Sequence, residues 1–296
     1  MKISEILKTK ATLSFEVFPP KQNAENITSI YHTIDELSKL HPDFISVTYG
    51  AGGSTKGKTV EIASKIKNDY HIEAVAHLTC ITSQKEEVKN ICTQLKHHHI
   101  ENILALRGDE PKDHIIDKTT LDFQYAKDLH QYISQEFPNT FCLSGACYPE
   151  VHQEAACFED DLKALKEKVD AGAEYLITQI FFDNQYYYRL VKAARNLGIQ
   201  VPIIAGIMPV TNSKSLLHTA KMCGCSIPYQ LSTMIESYYR YPNAMKEIGI
   251  NYATHQIIDL ITNGVDGIHI YTMNKPEIAQ AIFGSIPTVL KELNHE

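Results

Sequence analysis

Eight times along the chain an apolar run of seven or eight residues gives way to a stretch with apolar side chains at three- and four-residue spacing. The runs are TLSFEVF (12–18), DFISVTY (43–49), EAVAHLT (73–79), NILALRG (102–108), FCLSGACY (141–148), YLITQIFF (175–182), PIIAGIM (202–208) and GIHIYTM (267–273). Strand-sized runs alternating with helical periodicity read as βα units, and the right-handed crossover makes their strands parallel. The helical stretches include TVEIASKIKNDY, KEEVKNICTQLKHH, DDLKALKEKVDAG and YYYRLVKAARNLG, and Gly172 and Gly198 can cap two of them at the C-terminus. Residues 209–266, between the seventh and eighth runs, leave room for at least two further helices. Eight such units in 296 residues predict an α/β fold. The expected form is a (β/α)8 TIM barrel with parallel strands and extra helices between strands 7 and 8, a single domain over residues 1–296. A doubly wound sheet is the competing arrangement.

The ends of the runs favour closure. Near them stand Glu16, Thr48, His77, Arg107 with Asp109, Tyr148, Gln179 and Tyr271. A barrel brings all of these to one mouth, the face where such folds keep their chemistry. Glu16 is the most pointed case. In TLSFEVF, Leu13, Phe15 and Val17 face one way and Ser14, Glu16 and Phe18 the other, and Pro19 and Pro20 stop the strand. Alone, a carboxylate in that pattern reads as a solvated outward residue. Aimed into a ring of polar side chains, it reads as an acid or base.

Composition narrows the partners. The net charge of −7, with no Lys/Arg cluster, argues against a nucleic-acid surface and leaves small molecules as the expected ligands. No window approaches eighteen apolar residues and the N-terminus lacks a signal-peptide core, so no membrane partner is expected and the location is expected to be cytoplasmic. The seven cysteines form no C-x-x-C pair and read as reduced, mostly buried thiols. His97, His98 and His99 end a helical pattern beside no ligand cluster, so no metal site is expected. Residues 52–59, GGSTKGKT, match the phosphate-loop pattern after a strand and before a helix. In that reading the protein is an NTPase in which Lys58 reaches phosphate, Thr59 holds magnesium and Asp183 is the second acid. A barrel kept only as a binding or assembly module is a third reading.

The strings SFEVFPP, SVTYGAGGST, AHLTC, ALRGDEP, CYPEVHQEA, KVDAGAEYLITQIFFD, GIMPVTN and IHIYTMN, in that order, resemble the methylenetetrahydrofolate reductase family over nearly the whole chain. The resemblance implies a barrel that binds FAD, takes hydride from NADH or NADPH, and reduces 5,10-methylene- to 5-methyltetrahydrofolate by a ping-pong route, supplying methyl groups for methionine synthesis. It makes Glu16 the general acid that protonates the bridging folate nitrogen so that the ring opens to an iminium. Burial favours the neutral acid form of a carboxyl, which suits that task. Asp109 corresponds to an acid near pterin and flavin. Thr48, Tyr49, Ala51, His77, Arg107, Gly108, Asp109, Tyr148, His152, Asp161 and Lys168 fall on FAD contacts. Asp109, Gln179 and Lys275 fall on substrate contacts, and Thr48 also aligns near substrate or nicotinamide. A homo-oligomer without a second, regulatory domain is expected. The chain departs from the family pattern where Thr219 replaces a stacking phenylalanine and where Ala164 and Glu167 replace polar and basic residues near FAD. Tyr186, Tyr187 and Tyr188 offer aromatic surface in compensation or pack as a helix face.

Overall fold

A computed structural model describes residues 1–20, 25–49, 56–110 and 121–293. Its strands are β1 (Thr12–Val17), β2 (Phe44–Val47), β3 (Glu73–Thr79), β4 (Asn102–Leu106), β5 (Cys142–Cys147), β6 (Tyr175–Thr178), β7 (Ile203–Ile207) and β8 (Gly267–Tyr271). They close in sequence order into one barrel, with every ladder parallel and β8 returning to β1. The doubly wound alternative is excluded by that last pairing, Thr12 to Gly267 through Glu16 to Tyr271.

The helices that cover the barrel are α2 (Glu25–Ser38), α3 (Lys56–Asn68), α4 (Lys85–His97), α5 (Ala126–Glu136), α6 (Phe158–Asp170), α7 (Asn184–Asn196), α8 (Ser213–Cys223), α9 (Tyr229–Tyr238), α10 (Pro242–Thr262), α11 (Pro276–Gly284) and α12 (Pro287–Leu293). Three of them, α8 to α10, lie between β7 and β8, as the long segment there required. Gly172 and Gly198 follow α6 and α7 at φ +119° and +81°, a backbone that glycine enters without a Cβ penalty.

Alternation along each strand sorts the side chains into two cores. Outward residues such as Phe15, Ile45, Val47 and Leu176 pack with the helices, Phe15 meeting Phe283 of α11 edge to face at 5.8 Å. Inward residues Phe44, Val75, Leu104, Cys142, Tyr175, Ile177 and Ile204 fill the barrel. A one-turn helix that the apolar pattern does not signal, α1 (Ile3–Ile6), closes its N-terminal end. There Ile3 joins the inner cluster, the Ile3 N–H donates to Asn102 Oδ1 at 2.8 Å and the Ser4 hydroxyl donates to Glu174 at 2.6 Å. Chemistry is thereby confined to the other end.

Several strands stop short of the apolar runs at that end, β6 by four residues. Gln179–Phe182 is apolar for another reason. Ile180 and Phe182 enter a separate cluster with Met208, Val210, Leu216 and Ala220 beneath α8, while Phe181 stays with the outer core.

Candidate functional site

Glu16 lies on the inward face of β1, only 6% exposed. Its backbone is pinned: the Thr272 hydroxyl donates to the Glu16 carbonyl at 2.6 Å. Its Oε2 lies 3.5 Å from His77 Nε2 on β3 and 3.9 Å from His269 Nε2 on β8. Beneath them the His269 ring stacks on Phe44 at 5.8 Å and shares its nitrogens with two hydroxyls, Nδ1 with Ser14 at 2.8 Å and Nε2 with Ser46 at 3.3 Å. Burial pushes the His77 imidazole down to about 4, against the pull of Glu16. At neutral pH it is uncharged, so the Glu16–His77 contact is not an ion pair, and its buried Nε2 makes no hydrogen bond among the described residues. Tyr271, inward on β8, donates its hydroxyl to the Thr178 carbonyl at 2.6 Å, and burial keeps that phenol neutral. Its ring lies against Gly206, where a Cβ would come within 2.7 Å of it. The mouth is a ring of polar side chains around Glu16.

Other expected residues flank it. Thr48 and Tyr49 follow β2, and the Tyr49 hydroxyl is buried with no partner among the described residues. Gly108, at φ +83°, turns the chain after β4 where a Cβ would meet Thr79 at 2.9 Å. Asp109 beside it is exposed. The Gln179 N–H donates to the Cys147 carbonyl at 2.7 Å, and its side-chain oxygen accepts from the Ile180 N–H at 2.8 Å. Lys275 is exposed at the start of α11. Ala51 lies outside the described residues.

A cavity of about 410 Å³ opens beside the mouth, between the ends of β4 and β5 and helices α5 and α6. Arg107, Tyr148, His152, Asp161 and Lys168 line it, and so do Ala164 and Glu167. Glu16, His77 and Gln179 do not, so the expected residues divide between the mouth and this side cavity. Arg107 holds Glu154 at 2.7 Å and Glu110 at 2.6 Å, while its buried Nε has no partner among the described residues. The Asp161 carboxylate accepts from the His152 N–H at 2.9 Å, and burial pushes its carboxyl upward. Lys168 donates to the Ala146 carbonyl, and burial pushes its ammonium down. Its stem crosses Gly145, where a Cβ would come within 2.5 Å of Lys168 Cδ. Glu167 is engaged by Lys127 at 2.7 Å.

His130 of α5 sits behind this wall, fully buried, and neither ring nitrogen has a partner among the described residues. Burial, with Lys168 nearby, pushes it down to about 3. Both His130 and His77 have folded values below the ordinary 6.5, so their contribution is intact above pH 6.5 and is lost as pH falls toward the folded values. Between pH 6.5 and 5 each should cost roughly 2 kcal/mol of stability. Urea midpoints at the two pH values check this, and a flat profile refutes it. His130→Leu should flatten part of the slope.

The phosphate-loop reading fails on the placement of Lys58, Thr59 and Asp183. Residues 52–55 lie outside the described residues, but Lys58 Nζ donates to the Pro20 carbonyl at 3.4 Å and the buried Thr59 hydroxyl donates to the Thr48 carbonyl at 3.0 Å. Asp183 caps α7, accepting from the Gln185 N–H at 2.9 Å, four strands round the barrel from Thr59. Neither Thr59 nor Asp183 stands where one magnesium ion can join them. Lys58→Ala is accordingly expected to keep turnover within about twofold of wild type, since among the described residues it removes one long, part-buried hydrogen bond; a hundredfold loss measured in steady state would reinstate a phosphate role. The tyrosine run also has structural uses: the Tyr187 hydroxyl donates to the Ile203 carbonyl at 2.7 Å, and Tyr188 to the Asp259 carboxylate at 2.6 Å. His98 shares a hydrogen bond with Ser64 at 3.0 Å. Thr219 is partly buried on α8.

His269, Ser14 and Ser46 are the site residues that the sequence reading passed over. Strand parity held the signal, since Ser14 precedes Glu16 by two and His269 precedes Tyr271 by two.

Comparison with known proteins places the chain in a family. The model of the methylenetetrahydrofolate reductase family matches residues 2–287. The 5,10-methylenetetrahydrofolate reductase of Pectobacterium carotovorum is 38% identical over 276 residues, covering 93% of this chain and 90% of that protein. That of Escherichia coli K12 is 38% identical over 270 residues, covering 91% and 88%. Methylenetetrahydrofolate reductase (NADH) 1 of Arabidopsis thaliana is 34% identical over 299 residues, covering 95% of this chain but 50% of that protein, so the chain spans about half the length of the plant relatives it matches. Among solved structures, an uncharacterized Clostridium thermocellum protein that binds two copies of 5-methyl-5,6,7,8-tetrahydrofolic acid superposes with a TM-score of 0.64 at 15% identity, covering 100% of this chain and 99% of that one, a likeness of fold. On the strength of the family match along nearly its whole length, the chain belongs to the methylenetetrahydrofolate reductase family.

Proposed function

We propose that this chain reduces 5,10-methylenetetrahydrofolate to 5-methyltetrahydrofolate with FAD as cofactor and NADH or NADPH as donor. The observation that carries the reading is Glu16, a nearly buried carboxyl at the barrel mouth whose nearest titratable neighbour, His77, is neutral. Opening the five-membered folate ring needs a proton at the bridging nitrogen, and Glu16 is the group at the mouth able to hold and deliver one. Asp109 and Gln179 orient the folate, and Lys275 meets its anionic tail.

The residues suit FAD. Arg107 and Lys168 supply cations in a cavity of about 410 Å³, while Arg107 Nε, the Tyr49 hydroxyl and His77 Nε2 are buried polar atoms without a hydrogen-bond partner among the described residues. Tyr148, His152, Asp161, Thr48, Ala51 and Gly108 complete the set that would hold it. When bound, FAD supplies hydride chemistry, which separates donor oxidation from folate reduction. Exposed Asp109 opposes extra negative charge beside it and so tunes when electrons are released.

Further parts of the reading are a single catalytic domain, a cytoplasmic homo-oligomer, and a product that feeds methyl transfer for methionine synthesis. Among the described residues no helix is long and apolar enough to cross a membrane. The test is an absorbance spectrum of the purified protein, followed by anaerobic NADH and then methylenetetrahydrofolate. Bleaching of a flavin band and its return on adding folate support both half-reactions. A colourless protein that FAD cannot reconstitute refutes the flavin, and a bleached protein that folate does not reoxidise refutes the substrate.

A further inference from the structure

Residues 148–157, the segment after β5, have two sides. One lines the cavity through Tyr148, His152 and Glu154. The other is tied to the end of α8. The side-chain amide of Gln153 donates to the carbonyls of Met222 at 2.6 Å and Lys221 at 3.2 Å. The Glu150 carboxylate accepts from the Ser226 N–H through both oxygens, at 2.9 and 3.0 Å. From behind, Arg189 on α7 donates to the carbonyls of Pro149 and Glu150 at 3.3 and 3.1 Å.

The last carbonyls of a helix have no donor within it. Here one amide from a distant loop meets two of them, and Gly224, at φ +67°, lets the chain turn so close that a Cβ would lie 3.0 Å from Gln153 Cγ. Every partner on the α8 side is backbone, so the tie fixes the helix end whatever side chains stand there. The helix in turn reaches the mouth: Leu216 and Ala220 share an apolar cluster with Met208 and Val210, against which Tyr271 packs. The cavity wall and the wall of the mouth are thus joined by hydrogen bonds at Gln153 and Glu150.

We infer that Gln153 is a positioning residue that couples occupancy of the side cavity to the placement of α8, so that ligands in the cavity and against α8 bind cooperatively. The inference rests on the proposed FAD site. A group filling the cavity orders segment 148–157 through Tyr148 and His152, and Gln153 passes that order to the last turn of α8. Coupling of this kind is reciprocal: a ligand held against α8 tightens the cavity by the same factor.

The test is hydrogen exchange of the full chain, without and with FAD, in wild type, Gln153→Met and Gln153→Glu. Methionine keeps length and volume without the N–H donor, and glutamate sets a carboxylate against the two carbonyls. FAD should slow exchange in residues 219–224 of wild type by about fivefold, the factor one such hydrogen bond is worth in an equilibrium, and should leave that segment of Gln153→Met unchanged. The FAD dissociation constant and the KM for NADH should rise together in Gln153→Met, and further in Gln153→Glu, with kcat held. A purely structural role would lower the melting temperature and leave that split unmoved. Equal protection of α8 by FAD in wild type and Gln153→Met overturns the inference alone, whereas wild type that takes up no FAD overturns the cofactor site and the inference with it.

Discussion

Glu16→Gln is expected to leave reduction of bound flavin by NADH within about twofold of wild type and to slow reoxidation by methylenetetrahydrofolate by about 10²- to 10⁴-fold, the range a positioned general acid supplies. Glutamine keeps the shape of the side chain and loses the transferable proton. The backbone of residue 16 stays in place because its carbonyl accepts from Thr272 and its ladder partners are Ser46 and Tyr271, contacts made through the main chain of residue 16 and kept when its side chain changes. His77 cannot stand in: at 3.5 Å it is the nearest titratable group, but burial holds it down to about 4, so at assay pH it has no acidic proton to offer. The two half-reactions are followed separately by stopped-flow absorbance. Equal loss in both would mean that Glu16 holds the site together rather than delivering a proton, and the assignment would fall.

How far such a site is legible in a sequence depends on whether the information is local. The alternation in TLSFEVF sets Ser14 and Glu16 on the inner face of β1, and GIHIYTM does the same for His269 and Tyr271, so the polar ring at the mouth follows from parity once the barrel is granted. Strand ends are less legible, because an apolar residue does not say what covers it: Ile180 and Phe182 extend the sixth run yet are buried beneath α8. The plug α1 carries no strong periodicity and is held by Asn102 and Glu174, residues far along the chain. GGSTKGKT shows the opposite failure. The string is complete, but the Thr59 hydroxyl is spent on the Thr48 carbonyl and Asp183 stands across the barrel, facts of placement that no local pattern contains. The Arg107 pair with Glu154, and Gln153 on the end of α8, join segments far apart in the chain that only the closed fold brings together.

Gly249→Ala should be the most damaging single-methyl change in the described structure's helical layer, costing about 3 kcal/mol or more and lowering the melting temperature by about 6 °C or more. Gly249 lies in mid-α10, where an added Cβ would sit 1.7 Å from the Val210 carbonyl oxygen and 2.4 Å from its carbonyl carbon. A side chain in the way can change rotamer; a peptide group cannot. Val210 is itself buried, in one cluster with Met208, Leu216 and Met245, so relief requires moving either α10 or the loop that leads from β7 into α8. That loop is fixed further by Asn212, which caps α8 by accepting from the Ser215 N–H at 3.1 Å. The strain therefore reaches the mouth, and a raised KM for the donor should accompany the lost stability. Gly284→Ala is the control: it ends α11 with nothing within 4 Å of an added Cβ, so alanine there should be neutral or stabilise by up to about 1 kcal/mol through helix propensity. Differential scanning calorimetry of the two variants decides the matter, for if both melt within a degree of wild type, α10 does not need a bare Cα against Val210.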